Sequence, residues 1–259
     1  MKRNESAWIG LLLLLFSGCV PQKAPPKIAT PDFTFNPPGA SASRVDMTIA
    51  LIKPTTPASM FRENAMTDPD HLARVRRYVV DMLDQAKKDL EKILVAKGFN
   101  TLGPYESIDE MTYSEKERAS LIFAPNFEVN IDFVGGAVAQ GGLGTVSQQG
   151  TVAMTGRVVL NFLEPMTKEK VSMKNFSVDP FSAPYTVSAR TRDPKSGDIL
   201  TAILLGGSRQ PENTMVDASV LALNNFYQTS MTKISNLLDT REILQLRGET
   251  QKLKKLKRY

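Results

Sequence analysis

Between Leu72 and Leu94, nine apolar residues (Leu72, Val75, Val79, Met82, Leu83, Ala86, Leu90, Ile93 and Leu94) recur at spacings of three and four. That period lays all nine along one stripe of a long helix. Arg74, Arg76, Arg77, Lys87 and Lys88 fall largely off the stripe. Asp68-Pro69-Asp70 marks its start and Lys97-Gly98 its stop, because glycine accepts the left-handed turn that ends a helix. A helix this amphipathic must bury its stripe against a second apolar layer.

Strands supply that layer. Val45 to Ile52 alternates through Val45, Met47, Ile49 and Leu51 until Pro54 and Pro57 end it. Leu121 to Val134 alternates through Phe127, Val129, Ile131 and Phe133, with Pro125 marking an edge or bulge near its start. Thr151 to Leu163 places Val152, Met154, Val158, Leu160 and Phe162 on one face. The turn Glu164-Pro165-Met166-Thr167 returns the chain into Val171–Val178 as a hairpin, and short strands are predicted at Tyr185–Ala189 and Ile199–Leu205. A second long helix follows through Val216, Val220, Leu223, Tyr227, Met231, Ile234 and Leu238. This order predicts an α+β fold, a mostly antiparallel sheet with two long helices packed on one face.

The amino terminus adds a different constraint. Lys2 and Arg3 precede an apolar run from Trp8 and Ile9 through Leu11–Leu15 to Phe16. This is the layout of a secretory signal, and the run is too short to span a membrane. Phe16-Ser17-Gly18-Cys19 reads as a lipobox, with Phe16 where leucine is usual, and Cys19 is the chain's one cysteine. Lipidation of Cys19 by palmitate-type chains would anchor the protein stably, since two or more acyl chains hold where one does not. Val20 stands where many inner-membrane lipoproteins carry Asp, which predicts the outer membrane. The expected organisation is a signal peptide over 1–18, a lipidated Pro-rich linker over 19–44, a globular domain over 45–238 and a basic helical tail over 239–259. The linker holds Pro21, Pro25, Pro26, Pro31, Pro37 and Pro38, a composition that stays extended and builds no core.

Several functions are disfavoured. The net charge is +5, and the tail from Asp239 carries seven basic and three acidic residues, so the body is near neutral. A nucleic-acid binder would show a basic face on the fold itself. The tail instead suits anionic headgroups or peptidoglycan-associated polymers. One histidine and one cysteine cannot build the usual zinc sites, so no metal or cofactor is expected. His71 reads as a surface residue at a helix start. Asp109, Glu110, Glu128 and Asp132 have no spacing that pairs them for acid/base work, and Glu128, Asn130 and Asp132 share one solvated strand face. The glycine-rich stretch Gly135–Gly150 lacks a Gly-Lys-Ser/Thr ending and precedes a strand, so it reads as a mobile hairpin connection and not a phosphate loop. No catalytic constellation appears, and the chain is not expected to be an enzyme.

Leu163-Glu164-Pro165-Met166-Thr167 after an apolar strand, the run from Ala222-Leu223-Asn224-Asn225-Phe226 through Leu237-Leu238 to Glu249 and Lys252-Leu253-Lys254, and the lipobox together resemble the neuraminyllactose-binding hemagglutinin family, the flagellar-sheath adhesin lipoproteins of gastric bacteria. The resemblance implies a paralogue or distant member: an outer-membrane or flagellar-sheath lipoprotein at the cell surface, with sialic acid binding. The family's best-known member carries a Lys-Arg-Thr motif between its two central strands. The corresponding Gly135–Gly150 here contains no Lys or Arg, so the resemblance assigns no ligand-binding residue. The expected partners are membrane lipid through Cys19, a sialylated glycan or host protein, and further copies of the chain, with no nucleic acid. The alternative is a periplasm-facing scaffold or activator of envelope or sheath assembly.

Overall fold

The computed structural model describes residues 29–39, 43–57, 69–140, 145–190 and 214–256. The signal, the lipobox Phe16-Ser17-Gly18, Cys19, the glycines Gly141, Gly142 and Gly144, and the predicted strand Ile199–Leu205 lie outside the described residues.

Among the described residues, five strands form one sheet in the order β2-β1-β3-β4-β5. They are β1 (Thr48–Ile52), β2 (Asn100–Tyr105), β3 (Leu121–Gln140), β4 (Thr145–Leu163) and β5 (Lys170–Arg190). The long strands β3, β4 and β5 pair antiparallel as expected. β1 runs parallel to both β2 and β3, so the sheet is mixed. The parallel part arises because the long helix α1 (Pro69–Ala96) carries the chain back between β1 and β2, the connection a parallel pair needs.

The α1 stripe packs as its period dictates. Of its nine apolar residues all but Leu72 are buried, and Leu72 is partly buried against the same core. Gly98 follows the helix at φ 92°, and the Phe99 N–H returns to the Leu94 carbonyl at 3.1 Å. The second long helix, α3 (Met215–Leu237), opens on a capping box in which Thr214 and Asp217 each accept the other's backbone N–H. α3 packs on β4 and β5 and lies against α1. The core between helices and sheet includes Phe123, Phe127, Phe162, Phe226 and Tyr227, all fully buried. Each such side chain removes enough apolar area from water to contribute about 1.5–3 kcal/mol.

Among the described residues, the sheet's other face is covered at one end only. There a 3-10 turn (Ile108–Glu110) and the short helix α2 (Tyr113–Arg118) enclose a second cluster of Ala50, Ile52, Met111, Ala119 and Ile122. β2, α2 and this cluster are additions to the expected scheme.

Three expectations are corrected. The glycine-rich stretch is largely strand: Gly135 and Gly136 belong to β3, with a register irregularity between Gly135 and Val138, and Gly150 belongs to β4, where a side chain would strike the Tyr185 ring. The predicted strands at 171–178 and 185–189 are one strand, β5. Pro180 and Pro184 interrupt its sequence without ending it, because among the described residues β5 is an edge strand and its outer N–H groups need no partner. The Pro-rich segment does contribute to the core: Phe33 and Phe35 are buried in it. The basic tail, read from sequence as helical, is the long helix α4 (Thr240–Leu256), with Ile243 and Leu246 buried. Pro125, expected at an edge or bulge, stands where β1 runs out. The Thr55 N–H reaches the Pro125 carbonyl and the Phe127 N–H reaches the Thr55 carbonyl, so the proline nitrogen faces the side on which β1 has ended.

Candidate functional site

The helix layer carries a strap. Residues 29–35 run along α3 and cross to α1. The Ala29 N–H is held by the Asp217 carboxylate at 2.9 Å and the Asp32 N–H by Asn224 Oδ1 at 2.9 Å. Gln228 Nε2 donates to the Thr34 carbonyl at 2.7 Å. The strap ends on Asp89, a fully buried carboxylate on α1. Its Oδ2 accepts the Phe35 N–H at 3.0 Å and the Tyr227 hydroxyl at 2.5 Å, and its Oδ1 accepts from Lys92 Nζ at 2.7 Å and Gln85 Nε2 at 3.2 Å. Four donors replace the water this charge gives up on burial. Burial, and then the bond to Asp89, push the Tyr227 hydroxyl well above the usual tyrosine range.

Between strap and α1 lies a groove of about 760 Å³, lined by Asp32, Arg74, Arg77, Tyr78, Asp81 and Gln85, with Pro31, Phe33 and Thr34 as its other wall. The α1 residues recur at helical spacing beside the buried stripe, which makes them neighbours along one flank. Arg74, Arg77 and Asp81 are exposed and Tyr78 is half-buried. Neither arginine forms an ion pair among the described residues. Thr34 donates its hydroxyl at 2.6 Å and its N–H at 3.2 Å to Asp32, and these bonds hold the Asp32 carboxyl below the usual range.

The residues singled out from sequence do not converge. His71 is buried and not on the surface; its ring meets Phe133 edge-on at 5.1 Å between centroids. Asp109 pairs with Lys168, which holds its carboxyl below the usual range. Glu110 accepts the Glu106 N–H at 2.8 Å. Glu128, Asn130 and Asp132 do share the face of β3 turned away from α1 and α3, where Glu128 stands opposite Arg157. The basic tail is partly spent on structure: Arg247 donates to the Asp46 carbonyl at 2.6 Å, and Lys254 reaches the Ala119 carbonyl at 3.4 Å. Among the described residues no group of His, Cys, Asp and Glu could hold a metal ion, and no helix is long and apolar enough to cross a membrane. The groove went unseen in the sequence because it joins segments some forty positions apart. Its one local signal was the α1 flank, which reads equally as a solvated face.

These features define an α+β domain with a mixed sheet backed by helices on one face. Residues 30–257 match the model of the neuraminyllactose-binding hemagglutinin precursor family, and the chain belongs to that family. The chain is similar to the crystal structure of a protein assigned as a neuraminyllactose-binding hemagglutinin homolog from Helicobacter pylori, at 16% identity and a TM-score of 0.58, covering 84% of this chain and 98% of that one. At that identity the likeness establishes the fold. Weaker likenesses are to a Xanthomonas campestris protein (13% identity, TM-score 0.29, 84% and 97% covered) and to the PelC dodecamer from Paraburkholderia phytofirmans (11%, 0.22, 73% and 95%). No curated protein matches the sequence.

Proposed function

We propose that the protein is an outer-membrane lipoprotein, anchored through lipid on Cys19 and acting at the cell surface as an adhesin for sialylated glycans. The family match over residues 30–257 carries this reading. The lipobox supports the anchor, since the chain's one cysteine stands where a lipoprotein requires it. On this reading residues 1–18 are removed, Cys19 becomes the first residue, and the flagellar sheath is one destination to examine. The stretch Gly135–Gly150 offers no cation for a sialate carboxylate, so the ligand contacts come from elsewhere in the domain.

The test compares intact cells expressing the wild type and Cys19→Ala under brief protease treatment. Cleavage of the wild type on intact cells, with the variant released as soluble protein, is the expected result. Protection of the wild type until the outer membrane is opened would replace the adhesin with a periplasm-facing scaffold. Membrane retention of Cys19→Ala would remove the lipid anchor.

A further inference from the structure

A sialylated glycan carries one carboxylate on rings dense with hydroxyls, and a site for it needs a cation, hydroxyl acceptors and a flat apolar surface. The groove between the strap and α1 brings these together. Arg74 and Arg77, three residues apart, are neighbours on the helix surface and can fork onto one carboxylate. Tyr78 offers a ring face with a polar tip. The carboxylates of Asp32 and Asp81 offer acceptors for hydrogen bonds from sugar hydroxyls.

The balance of charge narrows the ligand. Two carboxylates offset the two guanidiniums, so an inorganic anion gains little net attraction here, while a molecule with one acid and several hydroxyls satisfies both sets. The wall facing α1 is fixed in advance: Phe33 and Phe35 are buried, and the Asp32 and Phe35 N–H groups are bonded to Asn224 and Asp89. A wall already ordered spares the ligand that cost on binding. From Arg74 to Gln85 the groove follows α1 for about 16 Å, room for more than one sugar ring.

We propose that this groove is an acidic-carbohydrate site, with Arg74 and Arg77 gripping the carboxylate; the proposal rests on the glycan-binding reading above. The test is calorimetric titration of the full-length protein in detergent with 3′-sialyllactose, with lactose as the neutral control. R74Q/R77Q and each single glutamine variant are compared with Arg76→Gln, which removes one arginine charge from α1 outside the groove lining. The expected result is binding of sialyllactose over lactose, weakened at least about tenfold in R74Q/R77Q and unchanged in Arg76→Gln. Arg74→Lys and Arg77→Lys keep charge and stem, and each is expected to weaken binding several-fold because an ammonium cannot fork; they decide the matter if the double variant fails to fold. Full affinity in the glutamine or lysine variants, with the wild type binding, overturns the groove and leaves the glycan reading standing. Equal loss in Arg76→Gln also overturns it, pointing to diffuse charge. A wild type that does not bind sialyllactose overturns the glycan reading and the groove with it.

Discussion

The Tyr227 hydroxyl on α3 donates to the Asp89 carboxylate on α1 at 2.5 Å, with both side chains fully buried. The bond joins the two long helices, and the same carboxylate oxygen holds the Phe35 N–H of the strap. One acceptor therefore ties three segments drawn from residues 35, 89 and 227.

Removing that acceptor leaves buried donors without a partner, which costs more than the bond itself contributes. Asp89→Ala is expected to destabilise the protein by about 3 kcal/mol, read as a shift in urea midpoint. Asp89→Asn keeps an acceptor and costs less. In Asp89→Ala the strap also exchanges its amide hydrogens faster than the sheet does. An Asp89→Ala protein as stable as wild type would show that the three segments are held by apolar packing alone.

Stability falls on the alkaline side. Burial and a bond to Glu115 push the Tyr105 hydroxyl up to about 12, and Tyr185 and Tyr227 are raised from 10.0 chiefly by burial. Bonds to Asp84 and Glu106 raise Lys53. Each group holds its proton more tightly folded than unfolded. Its contribution is therefore complete below the unfolded value, 10.0 for tyrosine, and is lost as pH rises through the folded one. The melting temperature is expected to drop as pH rises from about 10 to about 12, and to drop less steeply in Tyr227→Phe, which starts lower. A flat profile over that range would contradict the burial of these hydroxyls.

At Gly156 the Phe226 ring of α3 lies directly on the sheet backbone. A Cβ there would run into the Phe226 ring and stand 2.7 Å from the Glu128 carbonyl. Gly156→Ala is expected to cost about 2 kcal/mol. Phe226→Leu recovers part of that loss when combined with it, so a double-mutant cycle should show coupling. Strict additivity would mean that the sheet backbone yields and the ring does not.

The two long helices and the faces of β3 and β4 were legible because their apolar periods are complete over many residues. β2 was not: Asn100–Tyr105 contains Gly103 and Pro104, and none of its residues is buried. α2 did leave a signal, Thr112 three residues before Glu115, which forms a full capping box. Composition misled at the amino-terminal end of the domain, where prolines concealed Phe33 and Phe35. His71 shows the same limit, since burial at a helix start depends on Phe133, sixty-two positions away, and no local pattern announces it.

The strap shortens the leash. With Ala29 already fastened to the start of α3, ten peptide steps separate it from Cys19, a reach of about 36 Å when fully drawn out. The leash joins the body where Ala29 meets Asp217 in the first turn of α3. α4 begins beyond the opposite end of α3, its Thr240 hydroxyl bonded to the Lys97 carbonyl beyond the last turn of α1. Under the proposed lipid anchor on Cys19, a molecule moored this closely would be restrained in attitude as well as height. Standing upright, it would carry its basic helix at the crown, turned away from the membrane and toward whatever lies across the gap.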